Sequence, residues 1–223
     1  MSIVAGVLDL VLPRRCAGCA APDVTCCLAC RAEFGGPLDV RRSVLAAGPP
    51  VYALAEYRGA ARELVLAYKE RGRRELAGTL GGVVADMLPW LPGARPSTDG
   101  TWWLVPAPSR RSAARQRGGE HMRRLAAGAA ARLADRGRPA AVAPALRLAL
   151  GARDSVGLDA AGRRANLAGR VRPRTEGLPV EATPVVLLDD VITTGATAAA
   201  CCRVLAAAGV EVTAVLALTV AGG

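Results

Sequence analysis

The run "PVVLLDD" at residues 184–190 narrows most what this chain can become. From Pro184 to Leu188 it carries no polar side chain, so it cannot turn one face to water as an alternating strand does. A strand that is apolar on both faces belongs inside a parallel sheet covered by helices on each side. The neighbouring segments agree with that. "TWWLVPAP" (101–108) reads as a short strand stopped by Pro106 and Pro108, and at least one of Trp102 and Trp103 should be buried there. Residues 119–135 read as a helix, and "AAVAPALRLAL" (140–150) includes a strand. "GATAAACCRVLAAAG" (195–209) is a helix stopped by Gly209, and "VEVTAVLALTV" (210–220) is a last strand. Upstream, residues 58–88 show apolar positions at three-to-four spacing, the period of amphipathic helices. Strands alternating with helices give an α/β fold.

The apolar run ends in Asp189 and Asp190, followed by "VITTGAT". In a parallel sheet, ligands sit at the carboxyl ends of strands near a switch point. The turn here leads into a helix, whose first amides favour a phosphate, helped by the hydroxyls of Thr193, Thr194 and Thr197. Gly195 and Ala196 would let the anion come close. Two carboxylates repel a phosphate, so they should meet something else, and the vicinal hydroxyls of a ribose suit them. A ribose 5-phosphate lying across one strand end satisfies both demands.

Five of the seven cysteines lie in "CAGCAAPDVTCCLAC" (16–30). Cys16/Cys19 and Cys27/Cys30 form two C-x-x-C pairs, which at this spacing point to one tetrahedral zinc site of four thiolates, structural rather than catalytic. Cys26 could replace Cys27, but it leaves three residues before Cys30 and a less regular knuckle. Cys201 and Cys202 fall within a helical pattern and read as packing. The zinc unit spans residues 1–48 and ends in "AAGPPVY"; the remainder, 49–223, forms the α/β body.

The net charge is +10, and 28 of the 29 basic residues are Arg, the exception being Lys69. Such a balance favours anionic partners, although a high-GC codon bias also raises Arg counts. No apolar run approaches the roughly 20 residues that span a bilayer. The N-terminal "MSIVAGVLDLVLPRRC" has its basic pair after the apolar stretch, the wrong order for a secretory signal. It reads as a short amphipathic helix ending at Pro13. A cytoplasmic location is expected.

"VVLLDDVITTGAT" resembles the phosphoribosyl-pyrophosphate (PRPP) motif of type I phosphoribosyltransferases. Together with the cysteine knuckles, "LVPAPSRRSAARQRG" and "GLDAAGRRANLAG", it resembles the ComF family of competence-associated, phosphoribosyltransferase-like proteins over nearly the whole chain. The resemblance implies a type I phosphoribosyltransferase-like sheet, a PRPP site served by Mg²⁺, and a role in uptake of single-stranded DNA beside a DNA-uptake helicase and other competence proteins. Carried over, Asp189 and Asp190 would hold the ribose 2′- and 3′-hydroxyls, and Thr193, Thr194, Gly195, Ala196 and Thr197 the 5′-phosphate. Arg110 and Arg111 would face pyrophosphate, with Arg115, Arg117 and Gly118 in the following turn. Lys69 matches a Lys on the helix before the sheet. Arg153, Leu158, Arg163 and Asn166 match a mobile loop that closes over the site, Arg153 with a catalytic part.

The chain departs from the family at Gly119, Glu120 and His121, at Ser155, and at Thr193, where purine-salvage relatives carry a carboxylate base. His121 reads as a surface or partly packed residue on a basic helix. The implied reaction is phosphoribosyl transfer to a nitrogen nucleophile, gaining rate from placement and leaving-group electrostatics. The alternative is an accessory protein that binds PRPP or a nucleotide, and single-stranded DNA, without catalysis. With aromatics at 3%, stacking on bases would be sparse.

Overall fold

The computed structural model describes residues 14–108, 121–149 and 169–222. In chain order they form helix α1 (Leu28–Ala32), strands β1 (Leu38–Asp39) and β2 (Val51–Glu56), and helices α2 (Gly59–Lys69) and α3 (Leu76–Met87). Strand β3 (Trp102–Pro106), helix α4 (His121–Ala134) and strands β4 (Ala140–Val142), β5 (Leu146–Leu148) and β6 (Val171–Pro173) follow. Strand β7 (Pro184–Ile192), helix α5 (Ala196–Ala207) and strand β8 (Glu211–Val220) complete the order.

One six-stranded sheet runs β1-β2-β8-β7-β3-β4. Only the two-residue β1 is antiparallel to its neighbour; the other pairings are parallel. The expected α/β sheet flanked by helices is therefore present, as a mixed but mostly parallel sheet. Strand β7 is central, with Val185, Val186, Leu187 and Leu188 all buried, as its unbroken apolar run requires. Period-2 alternation splits these side chains between two cores. Val186 and Leu188 join Leu104, Leu216 and the buried faces of α2, α3 and α4, whereas Val185 and Leu187 join Val105, Val215 and the buried face of α5. Trp102 is buried and Trp103 partly so, on β3.

The strand expected within 140–150 is two strands. Pro144 lies between them, and β5 leaves the main sheet to pair antiparallel with β6 in a separate ribbon. Strand β7 also runs past the two acids, because Val191 and Ile192 still pair with Thr219 and Val220 of β8. Residues 14–48 lie against this body: Cys16, Cys30 and Phe34 belong to the same buried cluster as Leu54, Leu64 and Val65. Among the described residues, no helix is long and apolar enough to cross a membrane.

Candidate ligand crevice and cysteine cluster

Strand β3 is followed by α4 and then β4 on one side of the sheet, while β7 is followed by α5 and then β8 on the other. The two neighbours β3 and β7 thus send their helices to opposite faces, which makes their carboxyl ends a topological switch point, and in open α/β sheets the crevice outside such a point is where ligands bind. Pairing between them ends at Pro106↔Leu188, with one more bond from the Ala107 amide to the Leu188 carbonyl at 2.8 Å. From Asp189 onward β7 is paired only with β8 among the described residues. The acids lie where the sheet divides.

Adjacent strand residues point to opposite faces, so the two acids are not equivalent. Asp190 continues the Leu188 face. Its side chain is 8% exposed, and Lys69 Nζ at the end of α2 lies 3.0 Å from Oδ1 and 2.9 Å from Oδ2. At the start of α4, His121 Nε2 lies 2.7 Å from Oδ2. Burial opposes ionisation of Asp190, but Lys69 and His121 outweigh it and hold the carboxyl well below its usual range. Burial likewise works against the Lys69 ammonium, and the Asp190 charge overrides it, so the Lys69 pKa is raised. Asp189 continues the Leu187 face and accepts the Asp190 amide at 2.8 Å. Burial, and then the neighbouring Asp190 charge, push its pKa up to about 7. One acid is fully committed to its charge; the other is poised.

His121 is the clearest departure from the sequence reading. It is 4% exposed, its ring meets that of Tyr68 edge-on, and Tyr68 Oη donates to its backbone carbonyl. The cause is helical spacing: His121, Leu125, Ala129 and Leu133 form the buried stripe of α4. That four-residue step was visible in the sequence and could have found it. Among the described residues, His121 Nδ1 has no hydrogen-bond partner.

The loop after β7 places Thr193 and Thr197 half-buried and Thr194 exposed, with Ala196 opening α5. Helix geometry leaves the first-turn amides without intrahelical acceptors. Gly195 has φ +80°, and a Cβ there would lie 2.6 Å from Leu45 Cδ1. The glycine is thus required by its left-handed backbone and by a side chain from the N-terminal segment, before any anion is considered. Arg110, Arg111, Arg115, Arg117, Gly118, Arg153, Leu158, Arg163 and Asn166 lie outside the described residues.

Cys16, Cys19, Cys27 and Cys30 present four sulfurs within 4.8 Å of one another, a set that could hold a metal ion such as zinc. Cys19 and Cys27 Sγ are 3.7 Å apart, close to the roughly 3.8 Å edge of a tetrahedron with metal–sulfur bonds of about 2.3 Å. The Cys27 amide points at Cys16 Sγ (3.3 Å) and the Cys30 amide at Cys27 Sγ (3.5 Å). Such donors stabilise thiolate. Burial opposes it at Cys16, yet backbone amides prevail and bring that pKa down to about 6. Cys26 stands apart. Its sulfur approaches the Cys27 carbonyl at 3.6 Å, and burial pushes its pKa up to about 11. Cys201 is buried in α5 and Cys202 packs beside the same core.

A scan against protein-family models found no match, and a search of curated proteins found none either.

Proposed function

We propose that the crevice binds the ribose 5-phosphate part of PRPP, in a phosphoribosyltransferase-like protein of the ComF type. The observation that carries this reading is the pair of inequivalent acids at the sheet's division, followed directly by a hydroxyl-rich loop that opens a helix. Asp190, held ionised by Lys69 and His121, accepts hydrogen bonds from a ribose hydroxyl. Asp189 can bind the adjacent hydroxyl in either protonation state. The loop amides and Thr hydroxyls take the 5′-phosphate. Mg²⁺ bound with PRPP would supply charge neutralisation to the pyrophosphate, and Asp189 would be drawn toward its ionised form by any cation that came near it. Calorimetry with PRPP, ribose 5-phosphate and pyrophosphate, each with Mg²⁺, tests the site: ribose 5-phosphate and PRPP should both bind. If wild-type protein binds none of the three, the proposal is lost.

One observation favours a second reading, binding of PRPP or a nucleotide without transfer. Position 193 is Thr rather than a carboxylate, and His121 is turned into the α4 core against Asp190. Neither Thr193 nor His121 therefore offers the base that a carboxylate at position 193 would supply. Release of pyrophosphate from PRPP across a panel of bases and amines separates the two readings. Single-stranded DNA and competence proteins stay proposals of the same resemblance.

We further assign the cysteine cluster to structural zinc, since four thiolates close the coordination sphere and leave no open position. Cys27→Ser should lose the metal, whereas Cys26→Ser should retain one zinc per chain by elemental analysis. Metal loss in the Cys26 variant would move the fourth ligand to that residue.

A further inference from the structure

Between β1 and the turn at Ser43–Leu45, two arginines stand side by side and behave differently. Arg41 extends into solvent, its side chain 92% exposed beside Asp39. Arg42 folds back onto the body and spends its donors on backbone carbonyls. Nε donates to Thr193 at 2.8 Å, Nη1 to Arg41 at 2.9 Å, and Nη2 to Ala221 at 3.3 Å and to Gly222. The guanidinium therefore ties the loop after β7 to the chain that leaves β8. Leu45, three residues later, presses on Gly195 at the other end of the same loop. The exposed Thr194 lies between these two holds.

We propose that Arg42 is a positioning residue for the phosphate loop: by holding the Thr193 carbonyl, it aims the Thr194 amide away from itself, at the bound phosphate. A trans peptide is planar, with its C=O and N–H on opposite sides. Fixing the carbonyl oxygen of residue 193 therefore fixes the direction of the amide hydrogen of residue 194. Without that bond the peptide plane can rotate, and the amide must be ordered when the anion arrives, which weakens binding. A rigid fork of donors suits this task better than an ammonium does. The inference rests on the reading of residues 193–197 as a 5′-phosphate loop.

The test uses ribose 5-phosphate as probe on the full chain. Amide spectra of wild-type protein should show the Thr194 proton moving downfield on titration. In Arg42→Gln that movement should vanish, and affinity should fall about tenfold, the scale of one amide–anion bond. Arg42→Lys, which keeps charge and one carbonyl bond, should recover part of the loss. Pyrophosphate affinity should change by no more than about twofold, since distant contacts add independently. Arg95→Gln removes an exposed arginine that pairs with Glu211 at the opposite end of β8 and should leave every value unchanged. Zinc content and thermal melting establish that the variants are folded; if Arg42→Gln does not fold, Arg42→Lys carries the comparison. Folded Arg42 variants that bind ribose 5-phosphate as wild type, with the Thr194 signal still moving, overturn this inference alone. A wild-type protein that does not bind the sugar phosphate overturns the loop reading as well.

Discussion

Asp190→Asn should destabilise the protein by about 3–5 kcal/mol, while Asp189→Asn, one residue earlier, should stabilise it at neutral pH. The first change leaves Lys69 and His121 facing a neutral amide inside the body, and breaking a buried pair from one side has that cost. The second removes a carboxylate that burial and Asp190 already disfavour. The two acids also leave opposite marks on pH dependence. The folded pKa of Asp190 is depressed, so its contribution is present above its unfolded pKa of about 3.9 and fades as pH falls below it. The folded pKa of Asp189 is raised, so its contribution is present below about pH 4 and fades as pH rises toward 7. At pH 8, Asp189→Asn should therefore gain up to about 4 kcal/mol, and less at pH 5. Urea melts of both variants at the two pH values measure this. Changes of the same sign for both acids at pH 8 would remove the inequivalence on which the site rests. A gain in stability with a loss of ribose 5-phosphate affinity at Asp189 would be the usual exchange between stability and function.

Loss of metal should have the other large effect. Stripping zinc with a strong chelator, or replacing Cys16 by Ser, should lower the melting temperature by about 10 °C or more, given how much folding energy structural zinc supplies. The consequence should reach beyond residues 14–48. Cys16, Cys30 and Phe34 pack in one buried cluster with Leu54, Leu64 and Leu80, so their release uncovers the helix layer over the sheet. Gly18 gives a gentler probe: a Cβ there would lie 2.8 Å from Cys30 Sγ, so Gly18→Ala should weaken metal retention with every ligand still present. Unchanged melting after complete metal removal would mean that the sulfurs hold together unaided.

What could be read from residues alone follows from how local each signal is. The central strand, its acids and the following helix lie within one stretch of 24 residues, and their hydrophobic pattern and turn chemistry announced them. The four sulfurs were legible because two knuckles fix ligand spacing within the segment. Lys69 was singled out by the family resemblance, with support from its being the single Lys in an arginine-biased chain, and its partner proved to be Asp190. His121 was misjudged because Arg123 and Arg124 follow it closely in sequence, while Leu125, Ala129 and Leu133 along its own helix face are apolar. Contacts across long separations were out of reach. Nothing local joins Arg42 to Thr193, 151 positions away, or Leu45 to Gly195. Strand β6 was likewise invisible, since its three residues, inside a polar and Gly-rich stretch, acquire meaning only beside β5.

The cluster that Cys16, Cys30 and Phe34 share with the helices has a consequence in the cell. If the four sulfurs hold zinc as proposed, a chain without the ion would leave apolar surface uncovered on the main body as well as at the knuckle, and proteases and chaperones sort chains by how often such surface is uncovered. Abundance would then follow zinc supply. Under scarcity the cell would hold fewer copies, each complete, instead of a full stock of partly assembled ones.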